Sequence, residues 1–129
     1  MKEINISTKR HTDFVDCTSR INQAVSNWDM QSGVVNVFVP HTTAGVTINE
    51  NADPDVMADI ESILDKLVPW RDGYRHAEGN AAAHMKASLV GSSVQIIVEN
   101  SRLKLGTWQG VYFCEFDGPR SRRIWIAQG

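Results

Sequence analysis

The sequence has 129 residues, of which 42% are hydrophobic and 22% are charged, and its formal net charge is −2. These values are typical of a globular protein and predict one compact domain over residues 1–129. They do not favour nucleic-acid or membrane binding, since the chain has no excess of basic residues and its apolar runs are too short to span a bilayer. With no apolar N-terminal signal segment and only two cysteines, we expect a cytoplasmic protein.

The first part of the chain predicts two strands and a helix. Polar and apolar residues alternate over 2–8, which indicates a strand, and residues 12–17 are predicted to be its hairpin partner. Either Thr18 or Ser19 can cap a helix over 20–28, where the apolar residues share one face.

The middle of the chain predicts two further strands and a second helix. Residues 34–40 are β-branched and apolar, which is typical of a central strand, and residues 44–50 predict another strand. Asp53 followed by Pro54 is a strong helix start, with Asp53 as the N-cap and Pro54 as the first helical residue.

The last part of the chain completes the predicted fold class. Residues 81–90 indicate a short helix that Gly91 ends, and residues 92–100 indicate a strand. Asp117 and Gly118 lie between two apolar runs, which predicts a hairpin. Strands dominate both ends of the chain, so we expect an α+β domain with a largely antiparallel, β-sandwich-like sheet and two to three helices.

Three of the four histidines lie in the polar centre of the sequence. His11 is interpreted as a solvated turn residue, whereas His41, His76 and His84 follow a core strand, occupy an irregular segment and lie on a short helix. Three neutral imidazoles with one open position are a known catalytic zinc arrangement. Their spacing forms no tight ligand motif, so three separate, individually satisfied histidines are the alternative.

Polar residues on both sides of the strand at 44–50 are candidates for chemistry. Asp53 is explained as a helix cap, but Glu50 has no evident folding role, and it can act as a general base or orient a ligating histidine. The hydroxyls of Thr42 and Thr43 can bind phosphate oxygens or satisfy a turn.

Cations and an aromatic residue form a further group of candidates. Lys86 lies two residues beyond His84, and several arginines, including Arg120 and Arg122, fall in the C-terminal segment. Arginine suits bidentate phosphate binding, but charged residues at hairpin ends and edge strands also block aggregation. Trp108 lies in a segment bracketed by glycines and can stack on a planar ligand, although tryptophan is more often a core or interface residue.

Three segments, HTTAGVTINENADPDV, HAEGNAAAHMKASLVG and LGTWQGVYFCEFDGPRSRR, closely resemble signature motifs of the YjbQ family, also described as secondary thiamine-phosphate synthase enzymes. They occur in the family's order, and the resemblance extends from Val34 to near the C-terminus. It implies a compact α+β homotrimer with an antiparallel β-sandwich. It also implies a polar pocket near a subunit boundary and a weak thiamine-phosphate synthase activity.

The resemblance assigns roles to matching positions of this sequence. His41, His76, His84 and Glu50 are expected to be catalytic, and the three histidines are expected to hold a divalent metal, with zinc first and magnesium possible beside a diphosphate. The expected substrate-binding residues are Thr42, Thr43, Asn49, Asn80, Lys86, Trp108, Gln109 and Arg120. Phosphate held by protonated imidazoles, with Thr42, Thr43 and Arg120, is the alternative occupant.

Three functions are consistent with these residues. The first is an enzyme that joins a pyrimidine diphosphate to a thiazole phosphate. The second is a metal-dependent hydrolase of a phosphorylated or acylated small molecule, with Glu50 as the base. The third is a non-catalytic module that binds an anion or a metal.

Overall fold

Two antiparallel β-sheets form the framework of the protein in a computed structural model that describes all 129 residues. The strands are β1 (Lys2–Ser7), β2 (Asp13–Asp16), β3 (Ser32–Phe38), β4 (Ala44–Glu50), β5 (Ser93–Glu99), β6 (Arg102–Leu103), β7 (Gln109–Glu115) and β8 (Ser121–Gln128). The helices are α1 (Thr18–Asn27), α2 (Pro54–Leu67) and α3 (Ala81–Val90). None of these helices has the length and apolar character that a membrane-spanning helix needs.

The larger sheet has the strand order β1-β8-β3-β5-β6, and the smaller sheet has the order β2-β7-β4. Every neighbouring pair of strands is antiparallel. The predicted α+β class with a largely antiparallel, sandwich-like arrangement is therefore confirmed, and so is the central position of β3.

Both predicted hairpins are wrong. β1 pairs with β8, β2 pairs with β7, and β7 and β8 belong to different sheets. The two connections instead cross between the sheets and bind each other, since Thr8 N donates to Arg120 O at 3.0 Å and Gly118 N donates to His11 O at 2.9 Å. A short polar turn between two amphipathic strands does not reveal which sheet each strand joins, because both sheets offer an apolar face.

The main core lies between the two sheets and beneath α1. Ile6, Val37 and Ile124 from the larger sheet pack in one cluster with Phe113 from β7 and Val25 from α1. All five side chains are almost fully buried. Burial of an aliphatic or aromatic side chain of this size stabilises a protein by roughly 1.5–3 kcal/mol, so this cluster holds the two sheets together.

The helices α2 and α3 cover the outer face of the smaller sheet. Met57 of α2 and Ala87 of α3 pack there against Tyr112, Cys114 and Phe116. Strand β7 is consequently buried on both faces, which explains why its sequence is apolar almost throughout instead of alternating.

Three helix ends were predicted from the sequence, namely the start of α1, the start of α2 and the end of α3, and the last two are confirmed. Asp53 caps α2 as predicted, and its side chain accepts a hydrogen bond from Asp55 N at 2.9 Å. The helix α3 ends at Gly91 as predicted. The predicted cap of α1 is wrong, because the helix begins at Thr18 after Cys17, and the Asp16 carboxylate accepts the hydrogen bond from Thr18 N.

The C-terminal end of α3 is joined to two strands through the backbone. Val46 N donates to Gly91 O at 3.0 Å, and Val39 N donates to Ser92 O at 2.8 Å. Gly45 makes this close approach possible, because a Cβ atom at that position would lie 2.5 Å from Gly91 O. These contacts fix α3 beside the β3–β4 connection, where the polar cavity described below opens.

Candidate functional site

A cavity of about 670 Å³ opens at the end of the sandwich where β3 ends and β4 begins. Its walls come from the β3–β4 connection, the segment before α3 with the first turns of α3, the start of β5, and the start of β8. The lining residues are Phe38, Val39, Pro40, His41, Thr42, Thr43, His76, Glu78, Asn80, His84, Ser92, Arg120 and Arg122. The three histidines that the sequence singled out thus share one cavity, together with Thr42, Thr43, Asn80 and Arg120.

His41 is held in one orientation by the backbone of β8. Its Nε2 atom accepts a hydrogen bond from Arg123 N at 3.1 Å, so in the neutral ring the proton lies on Nδ1. Burial, followed by the positive charge of Arg122, lowers the pKa of His41 below its ordinary value. His41 is therefore suited to donate a hydrogen bond from Nδ1 as a neutral imidazole.

His76 and His84 form a close pair. Their ring centroids are 5.2 Å apart, and the planes are nearly perpendicular at 88°. His84 is positioned by the first turns of α3, where its backbone N–H bonds to Asn80 O, whereas His76 belongs to the segment that leads into the helix. The eight-residue spacing of the sequence thus becomes a direct contact only because the chain turns between the two residues.

Thr43 and Asn80 are the buried polar residues of the cavity wall besides Arg122. Thr43 Oγ1 accepts a hydrogen bond from Arg122 Nη2 at 2.7 Å. Asn80 Nδ2 donates to Asp117 Oδ2 at 2.9 Å, which fixes the amide orientation, since a flipped amide would place its oxygen against a carboxylate. Asn80 Oδ1 then has no hydrogen-bond partner although the residue is only 8% exposed.

A buried ion pair beneath the cavity was missed as a functional feature by the sequence interpretation. Glu115 is 0% exposed, and its carboxylate accepts hydrogen bonds from Arg122 Nε at 2.8 Å, Thr8 Oγ1 at 2.8 Å and Asp117 N at 3.0 Å. Burial raises the pKa of Glu115, but the hydrogen bonds from Arg122, Asp117 and Thr8 outweigh it and hold the pKa below the ordinary value. Glu115 is therefore a fully satisfied anion.

The strand period could have revealed Arg122. It lies two and four residues before Ile124 and Ile126, both of which are buried, so all three side chains point to the same face of β8. The interpretation of Arg122 as an edge-strand charge is wrong for this reason: β8 pairs with β1 on one side and with β3 on the other. Glu78 and Ser92 also line the cavity; Glu78 lies within the second quoted motif but was given no role, and Ser92 lies outside all three motifs.

Arg120 reaches the cavity from the β7–β8 connection. Its Nη2 atom lies 3.2 Å from Asp117 Oδ2, and its Nε atom donates to Asp117 O at 3.0 Å. The side chain is about half exposed. Arg120 can contact a ligand at the cavity mouth, while Asp117 links it to Asn80.

Lys86 lies outside this cavity. It is buried and pairs with Asp65 of α2, where it lines a second cavity with His11 and Trp70. His84 and Lys86 are two residues apart, which places them about 200° apart around α3, so they face different sides of the helix. His11, interpreted as a solvated turn residue, is exposed in the connection between β1 and β2, and its ring packs edge-on against Trp70 at a centroid distance of 4.4 Å.

Four further candidates lie at the opposite end of β4. Glu50 pairs with Gln109 at one end of the β4–β7 ladder, and Ala44 pairs with Glu115 at the other end. The seven residues of β4 therefore separate Asn49, Glu50, Trp108 and Gln109 from the cavity by about 20 Å within one chain. Glu50, which was expected to be catalytic together with His41, is thus separated from it within one chain by the length of β4.

The side chains do not form a three-ligand metal centre as they lie in this structure. No group of three or more His, Cys, Asp or Glu side chains is arranged to hold one ion. The lone pair of His41 Nε2 is engaged by Arg123 N–H, and a metal ligand needs a free lone pair. A three-histidine zinc site therefore does not fit the observed geometry.

The comparisons with known proteins agree on one family. The family described as UPF0047 protein YjbQ-like matches residues 2–128. The UPF0047 protein YugU of Bacillus subtilis is 50% identical over 127 residues, covering 98% of this chain and 96% of YugU. The structure of an uncharacterised YjbQ/UPF0047 protein from Clostridium acetobutylicum is 53% identical, with a TM-score of 0.97 over the whole of both chains. A conserved hypothetical protein from Thermus thermophilus is 40% identical, with a TM-score of 0.93 over the whole of both chains.

Proposed function

The chain belongs to the YjbQ-like UPF0047 family, and from that premise we propose that its polar cavity binds a phosphorylated small molecule and carries a weak thiamine-phosphate synthase-like activity. The observation that carries the proposal is the lining of the cavity. Three imidazoles, two guanidinium groups and several hydroxyls meet there, and Glu78 is the one carboxylate among the lining residues. Such donors suit the oxygens of a phosphate or diphosphate.

The proposed reaction joins a pyrimidine diphosphate to a thiazole phosphate. The thiazole nitrogen supplies an electron pair to the methylene carbon of the pyrimidine, and the carbon–oxygen bond to the diphosphate breaks with its electrons leaving on pyrophosphate. Charge therefore develops on the diphosphate oxygens. Donors fixed in advance at those oxygens lower the barrier more than mobile ones, and His41 and Arg122 are fixed by hydrogen bonds in this way.

The test is a product assay on the purified protein with both substrates, in which thiamine phosphate and pyrophosphate are measured together. We expect both products in equal amounts from the parent protein, and a loss of at least about tenfold in the His84→Ala variant. His11→Ala is the matched control, because His11 lies in the other cavity, and it should retain the parent rate. Absence of product from the parent, or equal rates in the two variants, would contradict the proposal.

The hydrolase alternative receives less support from the site. It needs Glu50 as the base beside a metal-bound water, and Glu50 lies at the far end of β4 within one chain. A divalent metal, zinc or magnesium with a diphosphate, stays a prediction, although the three-histidine geometry is not formed while His41 Nε2 accepts its hydrogen bond from Arg123 N. Elemental analysis of the parent protein and of a His76→Ala/His84→Ala double variant tests it directly.

The homotrimer also stays a prediction, and it bears on the four residues at the far end of β4. If Asn49, Glu50, Trp108 and Gln109 take part in the reaction, they must reach a cavity on another copy of the chain. Sedimentation velocity measures the assembly, and mixing a Glu50→Gln variant with a His84→Ala variant tests for shared sites. Recovery of activity on mixing would support a shared site, and no recovery would place all catalytic residues in one chain.

A further inference from the structure

The guanidinium group of Arg122 combines near-complete burial with unused hydrogen-bond donors. The residue is 5% exposed, and its hydrogen bonds come only from Nε and Nη2. Nε and Nη2 bind Glu115, and Nη2 also binds the Thr43 carbonyl and hydroxyl oxygens. The two N–H groups of Nη1 have no acceptor in the protein.

The two free N–H groups of Arg122 Nη1 face the polar cavity. Asn80 Oδ1 is the single fully buried side-chain polar atom that lacks a hydrogen bond, so Nη1 of Arg122 is not sealed inside the protein. Arg122 is a lining residue of the polar cavity, beside Thr43 and Ser92. A buried charged donor with a fixed orientation at the wall of a cavity is a prepared binding position for an oxyanion.

We infer that Arg122 is the residue that anchors the diphosphate of the substrate, through Nη1, and that Glu115 is the positioning residue that holds it in place. This inference rests on the proposed function and assigns the inner end of the cavity to the diphosphate. Arg120, which is half exposed and paired with Asp117, lies at the mouth and contributes less. The sequence motifs pointed to Arg120 instead, because they carry no information on burial.

The pairing with Glu115 has a consequence for specificity. The charge of Arg122 is balanced by the buried carboxylate, so anchoring depends on the direction of the Nη1 donors more than on net charge. A lysine at this position keeps the charge, but its single ammonium group cannot bind Glu115, Thr43 and a ligand in the same geometry. Arg122→Lys is therefore the diagnostic substitution.

The experiment is calorimetric titration of inorganic pyrophosphate into the parent protein and into Arg122→Lys, at constant ionic strength. We expect binding to the parent that is weakened on the order of tenfold or more in Arg122→Lys, which is the effect of losing hydrogen bonds to a charged group. Arg123→Lys is the matched control, since the neighbouring side chain points outward to Glu3, and it should bind within about twofold of the parent. No binding by the parent, or equal binding by all three proteins, would overturn the inference.

A second measurement needs no substitution and guards against a variant that fails to fold. The guanidinium ¹⁵N–¹H resonances of Arg122, assigned by through-bond correlation in the parent, should move on addition of pyrophosphate, whereas those of Arg20, which bonds to Asn5 O on another face, should not. Unmoved Arg122 resonances at saturating pyrophosphate would overturn the inference. Binding and turnover are measured separately, so the inference can hold where the proposed reaction fails, and the reverse.

Discussion

Replacement of Gly45 by alanine tests whether the contact between β4 and α3 determines the geometry of the cavity. The added Cβ atom would lie 2.5 Å from Gly91 O and 3.1 Å from Val90 Cγ1. Side-chain Cβ atoms do not approach backbone atoms closer than 3.0 Å, so the two segments must separate by at least about 0.5 Å. The hydrogen bond from Val46 N to Gly91 O lies directly at this contact.

The expected cost follows from two opposing effects. Overpacking of a closely packed contact destabilises the folded protein by about 1–3 kcal/mol. The lower conformational entropy of alanine in the unfolded chain opposes this with a stabilisation of about 0.4–1 kcal/mol. The free energy of unfolding should therefore fall by about 1.3 kcal/mol, the centre of a range from about 0 to about 2.6 kcal/mol, and the central value corresponds to a decrease in Tm of roughly 4–6 °C for a domain of this size. Thermal unfolding by circular dichroism measures it.

The separation of β4 from the end of α3 should also change the shape of the cavity. Gly91 is followed by Ser92, which lines the cavity, and His84 lies on the helix that Gly91 ends. Pyrophosphate binding, measured well below the Tm of the variant, should therefore weaken several-fold, since small displacements of positioned groups cost affinity and rate.

Gly106→Ala is the matched control for this substitution. Its added Cβ atom would meet only the tip of the Gln109 side chain at 3.3 Å, and Gly106 lies far from the cavity. Its free energy of unfolding should stay within about 0.5 kcal/mol of the parent. If Gly45→Ala were as stable as Gly106→Ala and bound pyrophosphate as the parent does, the argument from the Gly45–Gly91 contact would be refuted.

Three further predictions concern titratable groups. The hydrogen bonds to Glu115 outweigh its burial and hold its pKa below 4.5, so the stability it contributes is complete above pH 4.5 and is lost as pH falls through the folded value. Urea midpoints between about pH 6 and about pH 3 should fall less steeply in Glu115→Gln, and an unchanged slope would contradict this. Burial and the charge of Arg122 lower the pKa of His41 below 6.5, so its contribution is complete above pH 6.5 and is lost as pH falls through the folded value. An NMR titration of the His41 ring checks this, and a midpoint at or above 6.5 would contradict it. Burial raises the pKa of Cys17 to about 12 and also raises that of Cys114, so a thiol reagent should label neither residue in the native protein and both in denaturant. Rapid native labelling would refute this.

The sequence predicted local elements well because their causes are local. Asp53 and Pro54 begin α2 and Gly91 ends α3 through backbone geometry that a few residues determine. The β-branched, apolar run at 34–40 indicated a central strand, and β3 does lie in the middle of the larger sheet, with Val35 and Val37 buried. Sheet membership could not be predicted in the same way. The segments at 8–12 and 117–120 cross between sheets because they bind each other across more than 100 residues of sequence.

Seven of the twelve expected site residues line one cavity, and the other five lie elsewhere within the chain. His41, His76 and His84 line the same cavity, because the β3–β4 connection, the segment before α3 and the first turns of α3 all border it. Glu50 and Lys86 were grouped with them by proximity in sequence, and proximity along a strand or a helix places side chains at different ends or on different faces. The length of β4 separates Glu50 from the cavity, and the rotation of the helix places Lys86 on a different side of α3 from His84.

The proposed binding role of Arg122 is difficult to recognise because the residue also forms a buried ion pair with Glu115. A buried arginine paired with a buried glutamate looks structural, because its charge is neutralised and most of its donors are used. The energetic cost of burying such a pair is not recovered through stability alone, since well-packed apolar residues are often as favourable. Ligand binding by the two unused N–H groups of Arg122 Nη1 would explain why the buried Arg122–Glu115 pair is present. The ion pair holds a rigid guanidinium where a flexible, solvated arginine could not direct its N–H groups at a developing anion.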